Sequence, residues 1–184
     1  MSSKTYYNPV TKVKAQFLKS TADTGGAYTL LQSKMEINTS NLPPYHYHTK
    51  FTELFTIVEG ELNMMVGKDK KTMILKKGES YRVKKKEPHT FWNASDNPVV
   101  YQVKHEPACQ FEKALKISHS LAAIGKAGKG GTPKNILHIA MLAQMGNTYL
   151  YNMPLWLQWP IYTLLNLAGI VIGVKKKLEM LIHE

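Results

Sequence analysis

Between residues 51 and 104 the chain is cut into short apolar runs, each closed by a glycine or a proline, and this confines it to an all-β core. Residues 54–58 end at Gly60, residues 62–66 at Gly67, and residues 72–75 run on to Gly78. Residues 81–83 lead to Pro88, and residues 99–103 close the series before Pro107. β-Branched and aromatic side chains fill these runs, and each is of strand length rather than helix length. Strands this short, returned at such regular spacing, bury their faces by forming a sandwich or barrel. Upstream, Gly25 and Gly26 mark a turn, and residues 27–32 and 34–37 are predicted as further strands.

After Pro107 the pattern changes. Phe111, Ala114, Leu115, Ile117, Leu121 and Ile124 recur at helical spacing and predict a helix over 111–125. Residues 125–131, rich in glycine and lysine, are expected to form a flexible connector. Thr132 and Pro133 offer an N-cap and a first helical position, predicting a second helix to about residue 144 that Gly146 and Asn147 stop. The expected organisation is a β-barrel domain over 1–107 and a helical extension over 108–184.

Residues 153–174 are largely apolar and end at Lys175, Lys176 and Lys177. The stretch is long enough to cross a bilayer. However, Pro160 interrupts it, Gln158, Thr163 and Asn166 are polar, and Gly169 and Gly173 weaken a helix. The clean portion, 161–174, has the size of a buried helix. Packing on the barrel or on a partner subunit is therefore expected ahead of a membrane span or interfacial attachment. Tyr149, Tyr151, Trp156, Trp159 and Tyr162 crowd this region, as they do at subunit interfaces and membrane surfaces alike.

Composition narrows the setting. With 184 residues, 43% hydrophobic and 20% charged, the chain can bury a core without disulfides. Cys109 is the single cysteine, so an intramolecular disulfide is excluded and a reducing, cytoplasmic compartment is expected. The first residues hold no apolar leader core, which fits that compartment. The net charge of +11 comes from lysines spread over turns, among them Lys68, Lys70, Lys76 and Lys84. No helix-turn-helix or zinc-finger spacing accompanies them, so a solvated basic surface is expected and a nucleic acid partner is not.

The densest chemistry lies around His46, His48 and Glu53. On an extended strand side chains alternate, so His46 and His48 share a face. Two neutral imidazoles facing one space suit a transition metal. Glu53 stands at an odd offset from His48, which puts it on the opposite face of a straight strand. The chain must bend between 49 and 52 for Glu53 to reach the same ion. His89, after Pro88, would complete a set that leaves positions open for substrate or oxygen. Each of the four taken singly is more simply a surface or pocket residue. Their combination is what argues for a site.

These residues resemble the two motifs of the cupin superfamily. The first motif runs His-x-His, a short gap, Glu and then Gly, matched by His46, His48, Glu53 and Gly60. The second begins with Gly and ends in Pro-His and Asn, matched by Gly78, Pro88, His89 and Asn93. Lys84 and Lys86 stand at the family's usual Pro and Gly, a change of turn residues and not of ligands. The resemblance covers about residues 15–107. It implies a mainly β, double-stranded β-helix (jelly-roll) barrel with a C-terminal α-helical extension, and a homodimer. It also implies one divalent transition metal ion on His46, His48, Glu53 and His89. Iron, manganese, nickel, zinc, cobalt and copper all remain open.

The full ligand set separates this chain from the sugar epimerases and storage proteins of the superfamily, which generally lack it. The expected function is that of a metal-dependent oxidoreductase, a quercetinase-like dioxygenase acting on a small enolic or aromatic substrate. In it Glu53 would stay bound or act as a catalytic base. The other reading is a non-catalytic module that binds or senses a small molecule through the metal. Second residues for the pocket are thin. His105, Tyr81, Tyr101 and Trp92 sit on predicted strands, where pocket lining and packing both fit, with packing favoured for the aromatics. Asn93 is expected to stabilise a turn, and His119, His138 and His183 to be satisfied or solvent-facing. Cys109 lacks an adjacent histidine or basic pair and is not expected to be a nucleophile.

Overall fold

The computed structural model describes residues 5–37 and 43–182, so His183 lies outside the described residues. Ten strands come first. They are β1 (Thr5–Asn8), β2 (Val13–Lys19), β3 (Thr29–Met35), β4 (His46–His48) and β5 (Thr52–Glu59). Then follow β6 (Glu61–Val66), β7 (Lys71–Lys76), β8 (Ser80–Val83), β9 (His89–Trp92) and β10 (Val99–Glu106). The C-terminal part holds α1 (Phe111–Ala123), α2 (Ile136–Met145), β11 (Thr148–Leu150), α3 (Leu155–Val171) and α4 (Val174–Met180).

Two antiparallel sheets face each other, in the order β1-β2-β3-β10-β5-β8 and β11-β4-β9-β6-β7. The architecture is the mainly β sandwich with C-terminal helices that the resemblance implies. Alternate residues of each strand turn inward, as the two-residue period demands. Phe55 and Ile57 of β5, Leu62, Met64 and Val66 of β6, and Val99, Tyr101 and Val103 of β10 meet in one core. Burying each such side chain contributes roughly 1.5–3 kcal/mol. The segments at 27–32 and 34–37 prove to be one strand, β3, since Ser33 is buried in register with its neighbours instead of turning.

Gly60 closes β5 for a steric reason. Its φ is +77°, and a Cβ there would stand 2.7 Å from the carbonyl oxygen of Pro98. The loop between β8 and β9 keeps its course without the family's glycine. Lys86 adopts a φ of +65° and donates its backbone N–H to the His48 carbonyl at 2.6 Å.

Three expectations for the C-terminal part are corrected. The connector after α1 is packed, not free: Ala127 and Gly131 are buried, and a Cβ on Gly131 would meet the Asn8 side chain at 2.9 Å. The second helix starts at Ile136 and not at Pro133, because Asn135 is its cap, accepting from the Leu137 N–H at 2.8 Å. Thr132 and Pro133 belong to a turn that pairs Pro133 with Ala127. Pro160 does not interrupt the last apolar stretch. α3 runs through it, leaving the Trp156 carbonyl without the N–H that a non-proline residue would supply there.

The extension joins the barrel. β11 pairs with β4, Thr148 opposite His48 and Leu150 opposite His46. α1, α2 and α4 pack through Ala114, Ile117, Leu121, Met141, Met145 and Leu178. Among the described residues no single helix is long and apolar enough to cross a membrane; α3 bends by 80° into α4.

Candidate metal centre

β4 presents His46 and His48 to the space between the sheets, with Tyr47 turned outward between them. The chain then crosses to the other sheet, and Glu53, the second residue of β5, faces back from it. His89 opens β9 directly opposite His46. All four side chains are buried. The bend required between 49 and 52 is thus the crossover from one sheet to the other.

Each histidine is oriented by its second ring nitrogen. His46 Nδ1 donates to the Pro44 carbonyl at 2.7 Å, His48 Nδ1 to that of Asn147 at 3.0 Å, and His89 Nδ1 to that of Glu87 at 3.3 Å. A carbonyl only accepts, so these contacts place the proton on Nδ1 and leave Nε2 with a bare lone pair. The three histidines offer ligand atoms within 4.8 Å of one another. Glu53 Oε2 lies 2.8 Å from His89 Nε2 and 3.4 Å from His48 Nε2. Even so, neither Glu53 Oε2 nor His48 Nε2 has a hydrogen-bond partner among the described residues. Atoms this close yet misaligned for hydrogen bonding are arranged like ligands around a shared centre. Buried polar atoms are rarely left so. The residues fit a divalent cation, and the second-sphere carbonyls supply the orientation that metal-bound imidazoles require.

The electrostatics agree. Burial pushes Glu53 up, but the imidazoles of His48 and His89 and a hydrogen bond from His105 outweigh it, holding the carboxyl well below its usual range. Burial drives His46 well below the usual imidazole value, aided by His89 and His48, so it stays neutral and able to ligate. For His89 burial acts downward, yet the Glu53 carboxylate prevails and raises it. A cation between Glu53 and His89 would take the place of that proton.

His105 is the residue whose role sequence reasoning left undecided. It sits on β10 opposite Glu53 in the pairing of β10 with β5. Its Nε2 lies 3.2 Å from Glu53 Oε1, and its Nδ1 lies 3.2 Å from the Thr29 hydroxyl. With Thr29 donating to Nδ1, the Nε2–H donates to Glu53. Burial, above all, keeps this imidazole neutral. Phe111, the first residue of α1, stacks on the His105 ring at 3.7 Å between centroids. In the sequence Asn147 is marked only as a helix stop. It also orients His48 and, through Oδ1, accepts from the N–H groups of Thr49 and Lys50 at 2.7 and 2.8 Å.

The cluster opens on a cavity of about 290 Å³ lined by apolar side chains that include Phe55, Phe91, Tyr101, Phe111 and Leu115. Among the described residues no lysine or arginine lines it. Tyr81 and Trp92 are not part of the lining; the Tyr81 hydroxyl donates to Glu87 at 2.8 Å. Asn93 stabilises a turn, accepting from Ser95 and donating to the Asn97 carbonyl. His119 touches the cavity and donates from Nδ1 to the Leu115 carbonyl, whereas His138 lies outside it.

No curated protein matches the chain. Among solved structures it is similar to the polyketide cyclase RemF from Streptomyces resistomycificus, at 18% identity and a TM-score of 0.49, covering 57% of this chain and 74% of that one. It is also similar to a sugar phosphate isomerase from a cupin superfamily of Silicibacter pomeroyi, at 18% identity and a TM-score of 0.49, over 59% and 73% of the two chains. A third is the cupin domain of Schizosaccharomyces pombe Cnp3, at 15% identity and a TM-score of 0.48, over 58% and 69%. Residues 33–103 match the family model described as Cupin domain. That span holds both halves of the histidine–glutamate cluster and the strands that bring them together, so residues 33–103 of the chain form a cupin domain.

Proposed function

We propose that the protein is a metal-dependent oxidoreductase, a dioxygenase acting on a small enolic or phenolic substrate. One observation carries this reading. Three bare imidazole nitrogens and an unpartnered carboxylate oxygen converge at the wall of an apolar cavity that, among the described residues, holds no lysine or arginine. A phosphorylated or multiply anionic substrate would lose its hydration there without a counter-ion, whereas a flat, uncharged body fits. When bound, a divalent ion supplies a Lewis acid that lowers the pKa of a substrate hydroxyl.

The chain's own residues supply the rest. Glu53, held ionised, would either stay on the ion through Oε2 or, with that oxygen released, accept the enol proton on it. His105 grips Oε1 and keeps the carboxylate aimed, and Phe111 stacks over His105 and keeps water from that bond. Dioxygen is the oxidant, and the substrate provides the electrons as both oxygen atoms pass into product.

The test is elemental analysis of the purified protein, then oxygen uptake over a broad set of enols and catechols with the identified ion. About one equivalent of metal is expected, lost in His46→Ala and His89→Ala, with uptake abolished in Glu53→Ala. Absence of oxygen uptake with every ion and substrate refutes the enzyme. A compound that then raises the melting temperature without being changed would identify a binding module.

A further inference from the structure

α3 is built the wrong way round for a helix facing water. Its polar side chains point inward: Gln158 is fully buried and brackets the backbone of Leu150 with two 2.8 Å hydrogen bonds. Thr163 accepts from Gln144 at 3.0 Å, and Asn166 donates to the same Gln144. The outward face is apolar throughout. Val171 is 84% exposed, Trp156 76% and Leu164 68%, and Trp159, Leu167 and Ile172 are each more than half exposed. A surface helix of a protein in water shows the opposite arrangement. Contiguous exposed apolar surface of this kind marks a place where something other than water is met.

The charges nearby indicate what that is. α3 carries no charged residue, and Lys175, Lys176 and Lys177 stand exposed immediately beyond its bend into α4. Ile136, 60% exposed, extends the apolar surface from the α2 end that meets Gly169, with exposed Lys134 beside it. The acidic residues described in this part of the chain are already engaged: Glu112 with Lys116, and Glu179 with Lys113. A second copy docked through the same face would bring the same lysines, and the carboxylates described there, Glu112 and Glu179, are already paired. An anionic lipid surface meets both demands, apolar depth for the helix face and phosphate for the lysines. Its 17 residues reach about 25 Å, short of the ~30 Å hydrocarbon core, and the 80° bend suits a helix lying in the plane.

We propose that α3 lies in the headgroup boundary of an anionic membrane, with Trp156 and Trp159 at the interface and Lys175, Lys176 and Lys177 on lipid phosphates. The full chain is sedimented with phosphatidylcholine vesicles, with and without phosphatidylglycerol, at low and high salt. It pellets with the anionic vesicles and much less with the neutral ones, and salt weakens the binding. In a Trp92→Phe background the remaining tryptophan emission shifts to the blue. Changing the three lysines to glutamine weakens binding roughly a hundredfold. Leu164→Glu combined with Val171→Glu abolishes it, while the circular dichroism spectrum and metal content stay unchanged. A chain that stays in the supernatant with anionic vesicles at low salt overturns the proposal. So does binding indifferent to phosphatidylglycerol, or a detergent-free dimer that the paired glutamates split, which would assign the face to a second copy. None of these outcomes bears on the metal centre.

Discussion

Replacing Asn147 by alanine tests how far the C-terminal segment holds the metal loop. Asn147 is buried, has a φ of +48°, and accepts through Oδ1 from Thr49 N at 2.7 Å, Thr49 Oγ1 at 3.1 Å and Lys50 N at 2.8 Å. A neutral hydrogen bond contributes about 1 kcal/mol, and the exposed Lys50 lets water replace one of them, so the lost acceptor costs about 2 kcal/mol. Alanine in the left-handed region adds about 1 kcal/mol. The expected loss is about 3 kcal/mol for Asn147→Ala and about 2 kcal/mol for Asn147→Gly, which tolerates the backbone angle. Urea unfolding of the metal-free protein at neutral pH measures both. Metal titration should show 10–100-fold weaker affinity, because the backbone that carries the His48 acceptor is loosened. An Asn147→Ala protein within about 0.5 kcal/mol of the parent would refute the reasoning, as would alanine and glycine variants that cannot be told apart.

Gly60→Ala should cost about 2–4 kcal/mol in the same unfolding assay, since the new Cβ meets the Pro98 carbonyl oxygen at a φ that resists it. Lys86→Gly should stabilise by about 0.5–1 kcal/mol, because glycine relieves the +65° φ and keeps the N–H bond to His48. Burial holds His119 at about 4, below its ordinary 6.5, despite its bond to Leu115. The unfolded chain therefore takes up the proton first as pH falls, and stability declines from pH 6.5 until about pH 4, where the folded form titrates too. His119→Phe should remove about 2–3 kcal/mol of that decline, read as a flatter stability curve over this window.

The sandwich was legible because its code is local. Short apolar runs closed by Gly60, Gly67 and Gly78 specify strands and turns residue by residue, and the structure returns them as β5, β6 and β7. The convergence of His46, His48, Glu53 and His89 was legible through a motif and through the odd offset of Glu53, which requires a bend between 49 and 52; that this bend is a crossover between sheets came from the structure. His105 and Asn147 lay beyond reach for a common reason. Their roles depend on register between strands distant in the chain: His105 meets Glu53 because β10 pairs with β5, and Asn147 meets His48 because β11 pairs with β4. Nothing in a three-residue strand between two helices announces its partner. The second helix was started too early because two adjacent caps, Thr132 and Asn135, compete, and the bridge between Ala127 and Pro133 decides for the later one.

The apolar stretch after β11 is legible only at helical spacing, not along the line of the sequence. Gln158, Thr163, Asn166 and Gly169 count as interruptions of an apolar segment on a linear reading. At helical spacing they form one stripe, and the structure turns that stripe toward α2 and β11. What remains outward is then purer in apolar character than the sequence average suggests. The same stripe ties α3 to the site, since Gln158 clamps Leu150, which pairs with His46 and lines the cavity. A medium that fixes α3 therefore also fixes the strand behind His46 and His48. Gln158→Leu should uncouple the two, lowering metal affinity while leaving the outward face, and hence vesicle binding, intact. Loss of vesicle binding together with unaltered metal affinity would show that the buried glutamine shapes α3 alone.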